Sequence, residues 1–117
     1  MLLATTGVMV QVTLRLVAHP RRRAEIVQAL RSLLLPLQAA PGFISGHVWQ
    51  ETDDVDSICY AEEWATREDL DREIRSSHYT WLLAIMEEAA EPPEFRLSWV
   101  TEVKGLEYLE AVRLHDR

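Results

Sequence analysis

The sequence predicts an α+β fold, one antiparallel sheet with both helices on a single face. Three observations lead there: an alternating strand near the start, a helical apolar stripe after it, and a second strand-and-helix unit beyond a hairpin. In the opening strand, Val8, Val10, Val12, Leu14 and Leu16 alternate with Met9, Gln11, Thr13 and Arg15, which gives one core face and one mixed face. After Pro20, Ile26, Leu30, Leu33, Leu34 and Leu37 recur at helical spacing, with Arg21, Arg22, Arg23, Glu25, Gln28 and Arg31 mostly opposite. Pro36 lies inside that pattern and should kink the helix or end it early. Pro41-Gly42 forms a turn, Phe43 to Gln50 a second strand, and Glu51 to Asp56 an acidic hairpin loop.

The third strand begins at Ser57. Ile58, Tyr60 and Glu62 alternate with Cys59, Ala61 and Glu63, and Trp64 stands at the junction with the next helix, where it is expected at a rim. Thr66 is a suitable N-cap, Asp69 three residues on can answer it, and Glu68 and Asp69 favour the positive helix start. Leu70, Ile74, Ser77 and Trp81 share one face of this helix, and Ser76-Ser77 is a break before a second piece with Leu82, Ile85, Met86 and Ala89. Glu91-Pro92-Pro93-Glu94 ends the helical region. A fourth strand is expected from Phe95 to Val103, with Phe95, Leu97, Trp99, Thr101 and Val103 on one face. Gly105 then separates it from a short fifth strand, Leu106 to Val112. The order β-α-β-β-α-β with an extra C-terminal strand is the ferredoxin-like arrangement.

Its 117 residues, 48% hydrophobic, fit a single domain spanning the chain, with a core of about residues 8–112. If the helices cover one sheet face, the other is left wet in a monomer, with Met9, Trp49 or Tyr60 on it according to register. Such a face marks an association surface, so a homodimer is expected. The net charge of −7 disfavours nucleic acid and anionic membranes as partners. The single cysteine, Cys59, excludes an internal disulfide and the usual cysteine-based metal sites, and its mid-strand position reads as a small buried apolar residue. Met1-Leu2-Leu3 starts neither a signal peptide nor a membrane span, so a cytoplasmic location is expected.

Four segments, in this order and spacing, carry a family resemblance. They are the alternating first strand, Ala40-Pro41-Gly42-Phe43 opening the second, Tyr60 to Trp64 closing the third, and Ser76-Ser77-His78-Tyr79 in the following helix. Across Val8 to Val112 the chain resembles the antibiotic biosynthesis monooxygenase domain family, small dimeric α/β-barrel proteins that include cofactor-free quinol and polyketide oxygenases. The resemblance implies two ferredoxin-like subunits packed sheet to sheet, with C-terminal strands such as Leu106 to Val112 reaching onto the partner. Members often carry a second histidine five residues before the one in the Ser-x-His-Tyr segment, and Glu73 stands there instead. The haem-degrading branch of the superfamily shares the tryptophan but adds a first-strand asparagine and a histidine on this helix. Val8 to Val17 contains no asparagine.

A cofactor-free oxygenase must turn an electron-rich aromatic substrate into a phenolate-type anion before oxygen reacts, so it needs a base and a dry pocket. No metal or flavin is then required, and the scattered histidines and the lack of a glycine-rich nucleotide loop agree. His78, Trp64, Glu63 and Glu73 are the candidate catalytic residues. Trp49, Tyr60, Glu62, Trp81, Trp99, Phe43 and His47 are the candidates for binding a small aromatic molecule, with Met86 as a further wall. Each has a plainer reading: His78 as a surface or capping histidine, Trp64 as packing, Trp81 and Trp99 as core or interface, His47 as facing either pocket or solvent. His19 reads as a solvated helix entry and His115 as part of a polar tail. Two other functions fit the same residues: a non-catalytic dimeric barrel that binds or senses a small apolar ligand, and a purely structural dimer. A cavity lined by Trp64 and His78 favours a ligand site, and a filled interior favours the structural role.

Overall fold

The computed structural model describes residues 9–115. Val8 and Met1-Leu2-Leu3, on which expectations were placed above, lie outside the described residues. Strand β1, Met9–Val17, buries every second residue, as its alternation predicts. A short 3₁₀ turn at Pro20–Arg22 leads into helix α1, Arg23–Leu37, which buries Ile26, Leu30 and Leu37. Pro36 sits in the last turn, and the helix ends one residue later. Strand β2, Phe43–Gln50, and strand β3, Ser57–Trp64, form the hairpin around the acidic loop. Helix α2, Arg67–Ile74, is capped by Thr66, which accepts from the Asp69 N–H at 3.1 Å. Ser76 breaks the helical region and caps helix α3, Ser77–Met86, by accepting from the His78 N–H at 3.2 Å.

The sheet order is β2-β3-β1-β4, all antiparallel, where β4 is Glu94–Val100. This is the ferredoxin-like order, and the α+β expectation holds. Register assigns the faces. Val10, Val12, Leu14 and Leu16 pair with Trp64, Glu62, Tyr60 and Ile58, so these eight side chains share the helix side. Val10, Val12, Ile58, Tyr60, Trp64, Leu30 and Leu82 are fully buried there and, with Leu70, Leu37 and Tyr79, form the core. The other face carries Gln11, Thr13, Arg15, His47, Trp49, Cys59, Ala61 and Glu63. Met9 and Trp49 therefore lie on the face left open, and Tyr60 does not.

Gly42 turns the chain into β2 at φ +81°, and a Cβ there would lie 2.0 Å from the Asp69 carboxylate. Only glycine allows the turn and the helix cap to meet this closely. The Ala65 N–H then donates to the Gly42 carbonyl at 2.8 Å, tying the end of β3 to the start of β2.

Two expectations near the C-terminus are corrected. The fourth strand ends at Val100, and Thr101 and Val103 lie in irregular chain beyond it. The expected fifth strand, Leu106 to Val112, is instead helix α4, Leu106–His115. Leu, Glu, Ala and Arg dominate this segment and favour a helix, and Leu106, Leu109 and Val112 recur every three residues. His115 accordingly belongs to a helix rather than a tail. Every described residue from Thr101 onward is exposed, including Leu106, Tyr108, Leu109 and Leu114. Among the described residues no helix is long and apolar enough to cross a membrane.

Candidate functional site

Alternation on β3 sends Tyr60, Glu62 and Trp64 to the helix side, and the Ser76 cap delivers His78 and Tyr79 from above. These five side chains meet at the Glu62 carboxylate, which is fully buried. Its Oε1 accepts from the Trp64 indole N–H at 2.9 Å and from the Tyr79 hydroxyl at 2.8 Å. Its Oε2 accepts from the Tyr60 hydroxyl and lies 3.1 Å from His78 Nε2. Tyr60 Oη is also 3.4 Å from that nitrogen. A carboxylate has about four lone-pair positions, so four partners saturate it.

Burial alone would push the Glu62 carboxyl up. The hydrogen bonds from His78, Tyr60, Trp64 and Tyr79 outweigh that penalty and hold it below the usual carboxylate range. Tyr60 and Tyr79 are pushed well up, first by burial and then by the Glu62 charge, so both remain phenols and donors. An ionised Oε2 can only accept, so in the neutral imidazole the ring proton of His78 sits on Nε2 and Nδ1 is the acceptor. The arrangement is a buried carboxylate orienting an imidazole, the element that fixes the tautomer of a general base.

Trp64 is not at a rim: it is fully buried, and the Phe43 ring stands edge-on to it at 5.3 Å and 71°. Closure of β2 over the end of β3 covers it. Glu62, expected to bind substrate, has no free lone pair for it and holds His78 instead. Glu73 accepts from the Ser76 hydroxyl at 3.1 Å, and its charge adds to the upward push on Tyr60 and Tyr79. Met86 is half-buried against the core.

The remaining candidates lie elsewhere. Glu63 points to the opposite face of the sheet, where it accepts from Ser45 Oγ at 2.8 Å and Gln11 Nε2 at 3.1 Å. His47 is exposed on that same face. Trp49 walls a shallow groove there of about 300 Å³, floored by Thr13 and Cys59 and flanked by Arg15 and Arg96. Trp81 is 64% exposed on α3, so it is not core. Trp99 lies on the helix side of β4, 44% exposed. Tyr79 was missed as a functional candidate; its signal was its place beside His78 and three residues before the buried Leu82. Among the described residues no three His, Cys, Asp or Glu side chains converge as a metal site.

A family model described as antibiotic biosynthesis monooxygenase matches residues 8–81. No curated protein matches the chain. Among solved structures, a conserved protein from Methanosarcina mazei Go1 is similar at TM-score 0.75 and 21% identity, covering 86% of this chain and 99% of that one. A Nitrosomonas europaea protein provisionally assigned as an antibiotic biosynthesis monooxygenase reaches TM-score 0.72 at 21% identity, over 85% of this chain and 96% of its own. Rv0793 from Mycobacterium tuberculosis reaches 0.68 at 20% identity, over 84% and 98%. At these identities the likeness is one of fold.

Proposed function

The chain belongs to the antibiotic biosynthesis monooxygenase family, and from that premise we propose that it is a cofactor-independent monooxygenase for a small aromatic substrate of the quinol or polyketide-phenol type. The observation that carries this reading is His78 set 3.1 Å from a buried, saturated carboxylate. Glu62 holds the Nε2–H and stabilises the imidazolium that forms when Nδ1 takes a proton. Trp64, Tyr60 and Tyr79 keep Glu62 ionised and exclude water from its far side.

For a methylene flanked by phenols, the steps balance without a further reductant. His78 removes one C–H proton, the resulting anion joins O2 through a new C–O bond, and the imidazolium returns that proton to the distal oxygen, giving a hydroperoxide. Loss of the second C–H proton breaks the O–O bond, leaving a carbonyl on carbon and releasing the other oxygen as water. The two C–H bonds supply all four electrons.

The open sheet face supports a homodimer. Trp49 is 46% exposed there, and Arg15, Glu94 and Arg96 put charges of both signs beside it on the groove, a surface that a second copy of the chain can meet. A second reading, a purely structural dimer, is favoured by one observation: Trp64 and Tyr60 are fully buried, so the interior is filled where a substrate ring would lie.

Oxygen uptake by purified protein with a panel of hydroquinones and anthrones separates the readings. The enzymatic reading expects uptake that His78→Ala removes; neither uptake nor binding of these compounds leaves the structural one.

A further inference from the structure

We propose that Glu63 and Arg96 pair two copies of this chain across the open sheet face, Glu63 of each copy bridging to Arg96 of the other. The inference deepens the homodimer of the proposed function and rests on it.

Strand register places the two charges. Glu63 on β3 stands in one row across the open face with Ser45 on β2 and Gln11 on β1, and Arg96 on β4 stands one row along, beside Thr13. Glu63 is half-buried and accepts only from neutral donors, Ser45 Oγ at 2.8 Å and Gln11 Nε2 at 3.1 Å. A carboxylate has about four lone-pair positions, so two of them remain for a cation. The cation nearest the centre of this face is already taken: Arg15 lies 3.2 Å from Glu51 and 3.9 Å from Glu94. Arg96 is not. Of the arginines that hold no carboxylate among the described residues, it alone stands on this face, the others lying on helices or at their ends.

Within one chain the two charges are kept apart by β1, at about 12 Å for two strand spacings and one row. A contact between identical faces brings them together. In such a contact whatever residue i meets j, residue j meets i, so one unmatched acid and one unmatched base on the same face close two bridges. A two-fold axis along β1 sets β3 of each copy over β4 of the other, and sheets packed face to face stand about 10 Å apart, a gap that a glutamate and an arginine side chain together span. Arg15, near that axis, brings its own carboxylates and adds no bare charge. The donors that already hold Glu63 keep its carboxylate in place, which lowers the ordering cost of the contact.

The test is sedimentation equilibrium on the full chain at micromolar concentration. Arg96→Glu and Glu63→Arg should each weaken the dimer about a hundredfold or more, because each sets two pairs of like charges face to face. Combining the two reversals restores opposite signs and should return the dimer to within about tenfold of the parent. Arg31→Glu, the same change of charge on the exposed side of α1, should leave association unaltered. Arg96→Glu keeps the test decisive should Glu63→Arg not fold, since the Arg96 side chain is exposed. A dimer that persists in both single variants, or a folded double variant that stays monomeric, would overturn the pair and leave the homodimer standing; a monomeric parent would overturn both. Oxygen uptake does not enter the readout, so the pair stands or falls apart from the monooxygenase reading.

Discussion

Replacing Glu62 separates its structural work from its role at His78. In Glu62→Ala, the Trp64 indole N–H and the Tyr60 and Tyr79 hydroxyls lose their acceptor, and His78 loses its anchor. The indole N–H cannot turn away, and a stranded buried donor costs about 1 to 3 kcal/mol; the hydroxyls and the imidazole recover part of theirs by rotating or by reaching water in the space left behind. The sum is about 3 to 5 kcal/mol, a large share of the 5 to 15 kcal/mol, roughly, that stabilises a domain. Glu62→Gln keeps an oxygen for Trp64 and Tyr79 but faces Tyr60 and His78 with an NH2 group. Tyr60 can rotate to accept, and His78 can accept at Nε2 by moving its proton to Nδ1. The stability loss is then only about 1 to 2 kcal/mol, yet the base nitrogen is blocked and turnover should fall about a hundredfold or more. Urea denaturation and oxygen uptake measured on both variants check the pair. Glu62→Ala within about 0.5 kcal/mol of the parent, or Glu62→Gln with full turnover, would refute the reasoning.

His78→Ala should lower turnover by about a hundredfold or more while light scattering still reports the parent's oligomeric state. Trp64→Phe removes one donor to Glu62 and leaves a void beside Phe43, so it should cost about 1 to 3 kcal/mol in a chemical melt yet retain measurable activity. Because Glu62 is held below its unfolded value, the stability it contributes is complete above about pH 4.3 and is lost as pH falls through the lower folded value. A melt series through acid should therefore be less steep for Glu62→Gln than for the parent. Light scattering at micromolar concentration should report a dimer for the parent, and Trp49→Glu, on the open sheet face, should shift it toward monomer; a monomeric parent would end the sheet-to-sheet proposal.

Much of the fold was legible because the signals were local. Phe43 to Gln50 matches β2 at both ends, Thr66 caps through Asp69 as its spacing predicts, and Ser76 marks the break between α2 and α3. The site was half legible. Alternation puts Tyr60, Glu62 and Trp64 on one face, but that His78 and Tyr79 descend onto the same carboxylate depends on how α3 crosses the sheet, which no local pattern encodes. The filled space around Trp64 likewise depends on the position of Phe43 across a strand pair. Leu106 to Val112 misled because Leu106, Tyr108 and Val112 fit a period of two while Leu106, Leu109 and Val112 fit a helix, and a segment that short satisfies both.

The central claim is that His78, oriented by Glu62, makes the substrate anion before oxygen takes part. Anaerobic mixing of the protein with dithranol, an anthrone whose anion absorbs at longer wavelength than the neutral form, tests it without turnover. The account predicts that the anion band appears with the parent protein, is absent with His78→Ala, and decays only when oxygen is admitted. An anion band of equal size in His78→Ala, or none with a parent protein that nevertheless consumes oxygen on this substrate, would contradict it.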